Sequence, residues 1–361
     1  MTATIAEVLV DGPEDVEEFN RWAMENRWSD GLPLLPPTPQ RVAQFVRASG
    51  RDAGEVVMRV PPNWADATVE KVAANAVMAG CPAYCLPIVI AALQALAHPA
   101  CNLYGSQATT HCCTAMVMVS GPLAAQAGMQ SGSGAFGPGL HSNGAIGRAV
   151  RLALQNIGGA YAGEADRSTQ GGPAKYTFCF AENEAESPWA PLRVDLGFAP
   201  EDSTVTVLSA EGPHNINDHV SDEPRGLLLT FAQTIATMGK NNAYCRNSDY
   251  LVAFGPEHAA ILGRHGWSRR DVQSYLYERA RIPYRLWSAA GMIGMLPMPH
   301  HFTGADGDFM VPMSDRPEDV LLFVAGGPGR HSSWIPSIGI GRSHTARIED
   351  AKGERLTQLS R

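Results

Sequence analysis

Residues 209–221 read SAEGPHNINDHVS, with His214 and His219 five positions apart, Asn215, Asn217 and Asp218 between them, and Glu211 just before. Imidazole and carboxylate groups are donors for borderline divalent metals and common general acids and bases. Turn chemistry is the bland alternative, because Asn and Asp side chains bond their own backbone. The H-x4-H spacing is not the H-x3-H of helical zinc motifs. The expected setting is therefore a short loop. In it, His214 and His219 are metal ligands, Glu211 is a third ligand or base, and Asn215 and Asn217 contact substrate.

Four other clusters carry chemistry-bearing residues. His111, Cys112 and Cys113 precede an apolar run in CNLYGSQATTHCCTAMVMV (101–119). A cysteine beside a histidine is a candidate nucleophile with its base, or a soft metal ligand. Cysteine is equally a small buried apolar residue, and neighbours on a strand face opposite ways. Glu182 and Glu184 leave a β-like run in YTFCFAENEAESPW and would share one strand face, with Glu182 as the candidate metal ligand or acid–base group. Gly132, Gly134 and Gly137 give G-x-G-x-x-G, but Pro138 separates them from the next helix, unlike a dinucleotide fingerprint. The better expectation is a glycine wall around a small substrate, with Gly134, His141 and Asn143 lining it. Finally, His331 is a candidate catalytic residue in AGGPGRHSSW, where Arg330, His331 and Ser332 could hold an anion or substrate group; His300 and His301 form a further pair. Cys81 and Cys85, in CPAYC, read as a structural turn.

The elements that must position these groups are legible from punctuation. Five short apolar runs (55–62, 114–122, 203–213, 248–256 and 318–328) end in Pro-Pro or Gly-Pro, which is the mark of strands cut by breakers. Helical patterns alternate with them at 66–80, 143–159 (with Asn143 as its cap), 223–240 and 266–283. Two amphipathic helices flank the loop WSDGLPLLPP (28–37). Ser268 and Asp271 have capping-box spacing, and Gly80 suits a helix C-terminus. Strand–loop–helix series imply an α/β architecture. We expect a helix-covered sheet whose strand ends carry Gly-Pro loops, in one large domain or two packed α/β subdomains. The expected divisions are a helical and proline-rich segment (1–54), a first subdomain (55–200), a second (201–341) and a polar tail (342–361). No internal repeat of fixed period is visible.

Composition bounds the function. With 361 residues, 45% hydrophobic and 18% charged, the chain can bury a sizeable core. A formal charge of −8 with no long basic run argues against nucleic acid. The most apolar stretch, 85–97, is short of the roughly 20 residues a membrane span needs. No secretory leader is visible, and seven cysteines, an odd number, suit reduced thiols. A cytoplasmic protein without membrane attachment is expected. The uncharged stretch following Arg285 up to residue 299 suggests a homo-oligomer interface or pocket wall. Lysine occurs only at positions 71, 175, 240 and 352, a habit to which no mechanism attaches from sequence.

Several phrases resemble the UGSC-motif (seleno)protein family: WSDGLPLLPPT, NIGGAYAGEADRSTQGGPAKYTFCFAENEAESPW, AEGPHNINDH, GPEHAAIL and FMVPMSDRPEDVLLFVAGGPGRHS. The resemblance covers roughly residues 28–340 and implies an enzyme-like fold without naming a substrate. The family takes its name from a Sec/Cys-Gly-Ser-Cys redox motif, and this chain contains no Cys-Gly-Ser-Cys. The residues themselves support a hydrolase or lyase that uses a divalent transition metal (Zn, Mn or Fe) on a small polar molecule. The alternatives are a thiol enzyme built on Cys112 or Cys113 with His111, and a non-catalytic oligomer that binds a small ligand.

Overall fold

The computed structural model describes residues 10–245, 248–289 and 310–360. In chain order the first part contains α1 (Val16–Glu25), α2 (Pro39–Ser49), the hairpin β1 (Val56–Val60) and β2 (Ala65–Thr68), α3 (Val69–Met78), α4 (Leu86–Leu96) and α5 (Leu103–Gln107). Then come β3 (Thr114–Ser120), α6 (Pro122–Gln126), α7 (His141–Asn156), β4 (Cys179–Ala181), α8 (Leu192–Asp195), β5 (Thr204–Ala210) and β6 (His214–Asn217). The remainder is α9 (Pro224–Ile235), α10 (Asn241–Tyr244), β7 (Tyr250–Phe254), α11 (Pro256–Arg264), α12 (Arg269–Arg279), β8 (Arg281–Pro283), α13 (Tyr284–Ala289), β9 (Met310–Pro312), β10 (Val320–Val324), β11 (His331–Ile335) and β12 (His344–Arg347).

The fold is α/β, and all five punctuated runs contain strands. Local signals place the helix ends where the chemistry requires them. Ser268 and Asp271 form a reciprocal capping box at the start of α12. Gly80 follows α3 with φ +71°, which glycine adopts without steric cost. Asn143, expected as a cap, lies inside α7 instead, and Leu140 takes the cap position.

Two four-stranded sheets form the centre, in the orders β12-β5-β3-β4 and β10-β7-β11-β6. Their inner faces pack on each other through Met116, Met118, Phe180, Leu208, Leu251 and Phe323. Alternate residues of the same strands face outward. Val117, Val119, Val205 and Val207 meet the helical layer of α3, α4 and α7, while Val252, Phe254, Leu322 and Val324 meet α9, α11 and α12. The layers thus run helix, sheet, sheet, helix. The sequence led us to expect helices over both faces of a sheet. Each sheet instead has helices on one face and the other sheet on the second, which equally makes the strands apolar throughout.

The two halves share a pattern that sequence did not show. In each, a central strand (β3, β7) has a parallel neighbour (β4, β10) on one side and an antiparallel one (β5, β11) on the other. Each central strand ends in a Gly-Pro that opens a short helix. The fourth strand of each sheet comes from the other half. After β5 the chain crosses to place β6 beside β11, and after β11 it crosses back to place β12 beside β5. At the crossing Ala210 and Ser337 form an antiparallel bridge, with Glu211 N–H donating to Pro336 O at 2.8 Å and Ile338 N–H to Ser209 O at 3.0 Å.

This exchange corrects the expected divisions. A boundary at 200/201 would cut through the first sheet, whose strands come from both sides of it. The expected polar tail contains β12 and the buried Ile348 and Leu359. His300, His301 and most of the proposed interface stretch up to residue 299 lie outside the described residues. No single described helix is long and apolar enough to cross a membrane; α4, from the most apolar run, is a core helix with nearly every residue buried.

Candidate functional site

The crossing point of the sheets is also where the chemistry gathers. Thr114 at the start of β3 pairs with Ala210 at the end of β5. The residues just before one strand and just after the other are therefore neighbours: His111 and Cys112 face Glu211. Glu211 is buried and fixed through its backbone to Pro336. Its Oε1 lies 3.3 Å from His111 Nε2, and its Oε2 accepts from Lys240 Nζ at 2.5 Å. Lys240 Nζ also lies 3.0 Å from His214 Nε2, which is 3.7 Å from Glu211 Oε2. One donor atom each of His111, Cys112 and Glu211 lies within 4.8 Å of the other two.

The hydrogen bonds fix ring orientation. His111 Nδ1 accepts from the Cys113 amide at 3.1 Å, so Nε2 carries the hydrogen and presents it to Glu211. The His111 backbone is held as well, its amide by Thr109 Oγ1 and its carbonyl by the Ser168 hydroxyl. Burial pushes the Glu211 carboxyl up, but the bonds from His111 and Lys240 outweigh it and hold the group down at about 2. Burial and then the Lys240 charge depress His214. Burial and then the Glu211 charge raise the half-buried Cys112 thiol, against partial relief from Lys240 and Lys175. Cys113 is buried and pushed up to about 12. With Nδ1 accepting from the Cys113 amide and the hydrogen on Nε2, His111 has no free lone pair to act as base toward the Cys112 thiol.

No family model, curated protein or solved structure matches the chain. The assignment of chemistry therefore rests on the geometry of these residues.

The structure joins groups that the sequence kept apart and separates a pair that it joined. His111 and Cys112 from one expected cluster meet Glu211 and His214 from another. His214 and His219 do not share a site. Residues 214–217 are strand β6 rather than loop, and at roughly 3.3 Å per residue its ends lie far apart. His214 stands opposite Trp334 at one end, and Asn217 opposite His331 at the other. His219 lies beyond that second end, beside His331, whose other ring nitrogen contacts Asn215. The two rings turn to different partners, His214 to Lys240 and Glu211 and His219 to His331.

Several other expected site residues are fasteners. Glu182 is buried, accepting from Ser120 Oγ at 2.7 Å and from Leu192 N–H at 2.9 Å; Glu184 turns away to Gly121 N–H and Arg193, so the carboxylates are not paired. Asn143 is buried and clamps the glycine loop, with bonds to both backbone groups of Gln130 and to Ala135 O. Ser332 faces inward between Gly255 N–H and the buried His258. The expected anion cradle at residues 330–332 does not form. Arg330 binds the carbonyls of His219 and Ser221 and the Asp222 carboxylate, and Gly329 N–H donates to Glu257. Asn217 is exposed beside His331. Gly134 forms a turn at φ +77°, and the expected His141 and Asn143 line a cavity of about 360 Å³ together with Gly137, Gly139 and Gly144.

Lys240 was missed. Nothing in its local sequence marks it, but the rarity of lysine was a usable signal. Of the four lysines, Lys240 grips Glu211, and Lys175 pairs with Asp166 and lends positive charge to Cys112.

Proposed function

We propose that His111, Cys112 and Glu211 hold a divalent transition metal and that the protein is a hydrolase or lyase acting on a small polar molecule. The observation that carries this reading is the convergence of the three donor atoms, from two separate segments, at the crossing of the sheets. A thiolate–imidazole–carboxylate set suits Zn or Fe better than Mn. A bound cation would supply Lewis acidity, or lower the pKa of a water, for bond cleavage. The chain's own groups do the rest. Glu211 is ionised and oriented, and Lys240 offers a positive charge to an anionic group of a substrate. His214, depressed by burial and by Lys240, stays an uncharged proton acceptor near neutrality.

Ligation has a defined proton cost. Cys112 must lose its proton, and His111 must move its hydrogen from Nε2 to Nδ1, which breaks the bond from the Cys113 amide. Metal uptake therefore releases one proton per ion.

A second reading is favoured by one observation. Glu211 is already satisfied by His111 and Lys240, as a metal-free acid–base centre would require. The thiol enzyme is less well supported, because the Cys112 thiol is raised and the Nδ1 lone pair of His111 is occupied by the Cys113 amide. Elemental analysis of protein purified without added metal tests the main reading. A stoichiometric metal that is lost in Cys112→Ser and Glu211→Gln supports it. A metal-free protein that fails to take up Zn²⁺ or Fe²⁺ with proton release overturns it.

A further inference from the structure

We propose that His219 and His331 form a second, solvent-facing metal site that takes one borderline divalent cation such as Zn²⁺, Ni²⁺ or Cu²⁺. The site lies at the far end of β6 from Glu211 and does not depend on the function proposed above.

The first observation is a distance. His219 Nε2 and His331 Nε2 are 3.4 Å apart with the rings nearly perpendicular, at 80°. That is a long hydrogen bond, beyond the roughly 2.7–3.2 Å typical of N–H···O pairs. Two nitrogens bound at about 2.0–2.1 Å in tetrahedral geometry lie roughly 3.3–3.4 Å apart. The second observation is orientation. His331 Nδ1 lies 3.0 Å from Asn215 Oδ1, an acceptor, so its hydrogen is on Nδ1 and the Nε2 lone pair points at His219. A carboxamide or carboxylate behind the imidazole is the usual support of a ligating histidine.

The third observation is rigidity. The Asp218 carboxylate accepts from Val220 N–H, Ser221 N–H, Ser221 Oγ and Thr230 Oγ1, which pins the turn that carries His219. Arg330 ties the His219 carbonyl to the segment that carries His331. Gly255 lets β11 approach closely, since a Cβ there would stand 2.1 Å from the His331 carbonyl oxygen. Both imidazoles are thus held on stiff backbone while remaining exposed. Among the described residues no Cys, Asp or Glu completes a three-ligand set here. The remaining positions are open to water or a ligand, and two imidazoles without carboxylate favour Zn²⁺, Ni²⁺ or Cu²⁺ over Mg²⁺ or Ca²⁺.

The test uses metal-stripped full-length Cys112→Ser, which disables the other candidate site. Titration with Ni²⁺ against a chromogenic chelator should show one equivalent bound. His219→Ala or His331→Ala, added to that background, should abolish it, and Asn215→Ala should weaken it by about 10- to 100-fold. His344→Ala is the control; its ring stacks face to face on His98 at 3.9 Å rather than converging edge to edge, so binding should not change. Electron paramagnetic resonance of the Cu²⁺ form should show two imidazole nitrogens, a signal lost in either alanine variant. All the substituted imidazoles are at least partly exposed, so circular dichroism should show unchanged folding. No binding at Ni²⁺ concentrations up to about 100 μM, tens of times above a useful affinity, overturns the proposal. So does binding that survives both His219→Ala and His331→Ala.

Discussion

Lys240 Nζ and Glu211 Oε2 lie 2.5 Å apart, joining the segment before α10 to the point where the chain leaves the first sheet for the second. The carboxylate is buried, and the hydrogen bonds from His111 and then Lys240 keep it ionised there.

Removing that lysine should have opposite effects on folding and on metal. In metal-free protein Lys240→Met should lose about 2 kcal/mol, the scale of a charged hydrogen bond broken on a buried partner. Its Zn²⁺ affinity should rise, because Oε2 no longer shares its charge with an ammonium. Chemical denaturation and Zn²⁺ titration of one preparation measure both. Equal or weaker Zn²⁺ binding in Lys240→Met would count against Glu211 as a ligand.

Glu211 should also set part of the acid limit of the fold. Its folded pKa of about 2 lies below the ordinary 4.5, so the unfolded chain binds the proton more readily. The stabilisation is complete above pH 4.5 and is lost as pH falls toward 2, a contribution on the order of 3 kcal/mol. Glu211→Gln should flatten the dependence of stability on pH across that window. Denaturation curves at several pH values, compared with the parent, give the difference directly.

The two adjacent cysteines should behave differently toward alkylating reagents. Cys112 is half-buried with a raised thiol, so labelling should be slow at neutrality and speed up as pH rises. Cys113 is buried, bonds the Ser106 carbonyl, and should label only on unfolding. Zn²⁺ should protect Cys112. Peptide mapping after timed alkylation reads each site, and fast labelling of Cys112 at pH 7 would revive the thiol-enzyme reading.

The C-terminal strand should matter to stability. Ile348 is fully buried, and its amide bonds Ser203 at 2.8 Å. Ile348→Ala should cost about 2–5 kcal/mol, as other core truncations do. A thermal shift indistinguishable from the parent would mean that the segment does not hold the fold together, as its polar composition suggests.

The sequence revealed strands better than their companions. Runs such as TAMVMVSGP and SDYLVAFGP announce themselves by β-branched and apolar content and a breaker. β6, HNIN, at the sheet edge, and β11, HSSWI, between β6 and β7, are polar enough to pass for loop, because their pairing is decided by distant residues. The same holds for the site. His111, Cys112, Glu211 and His214 were each visible as residue types, but their meeting depends on the bridge between Ala210 and Ser337, 127 positions apart, which no local pattern encodes. The His214–His219 pairing failed for a simple reason: an extended strand carries side chains away from each other faster than a loop does.

The exchanged strands also set a timetable for synthesis. β5 emerges from the ribosome with β3 already available on one side, but its other neighbour, β12 (His344–Arg347), is made much later in the chain. Until then the first sheet presents an open edge, the kind that recruits another chain. The nascent protein therefore has to keep that edge occupied or chaperoned for more than a hundred further residues, and neither half can mature as an independent unit while the other is unfinished.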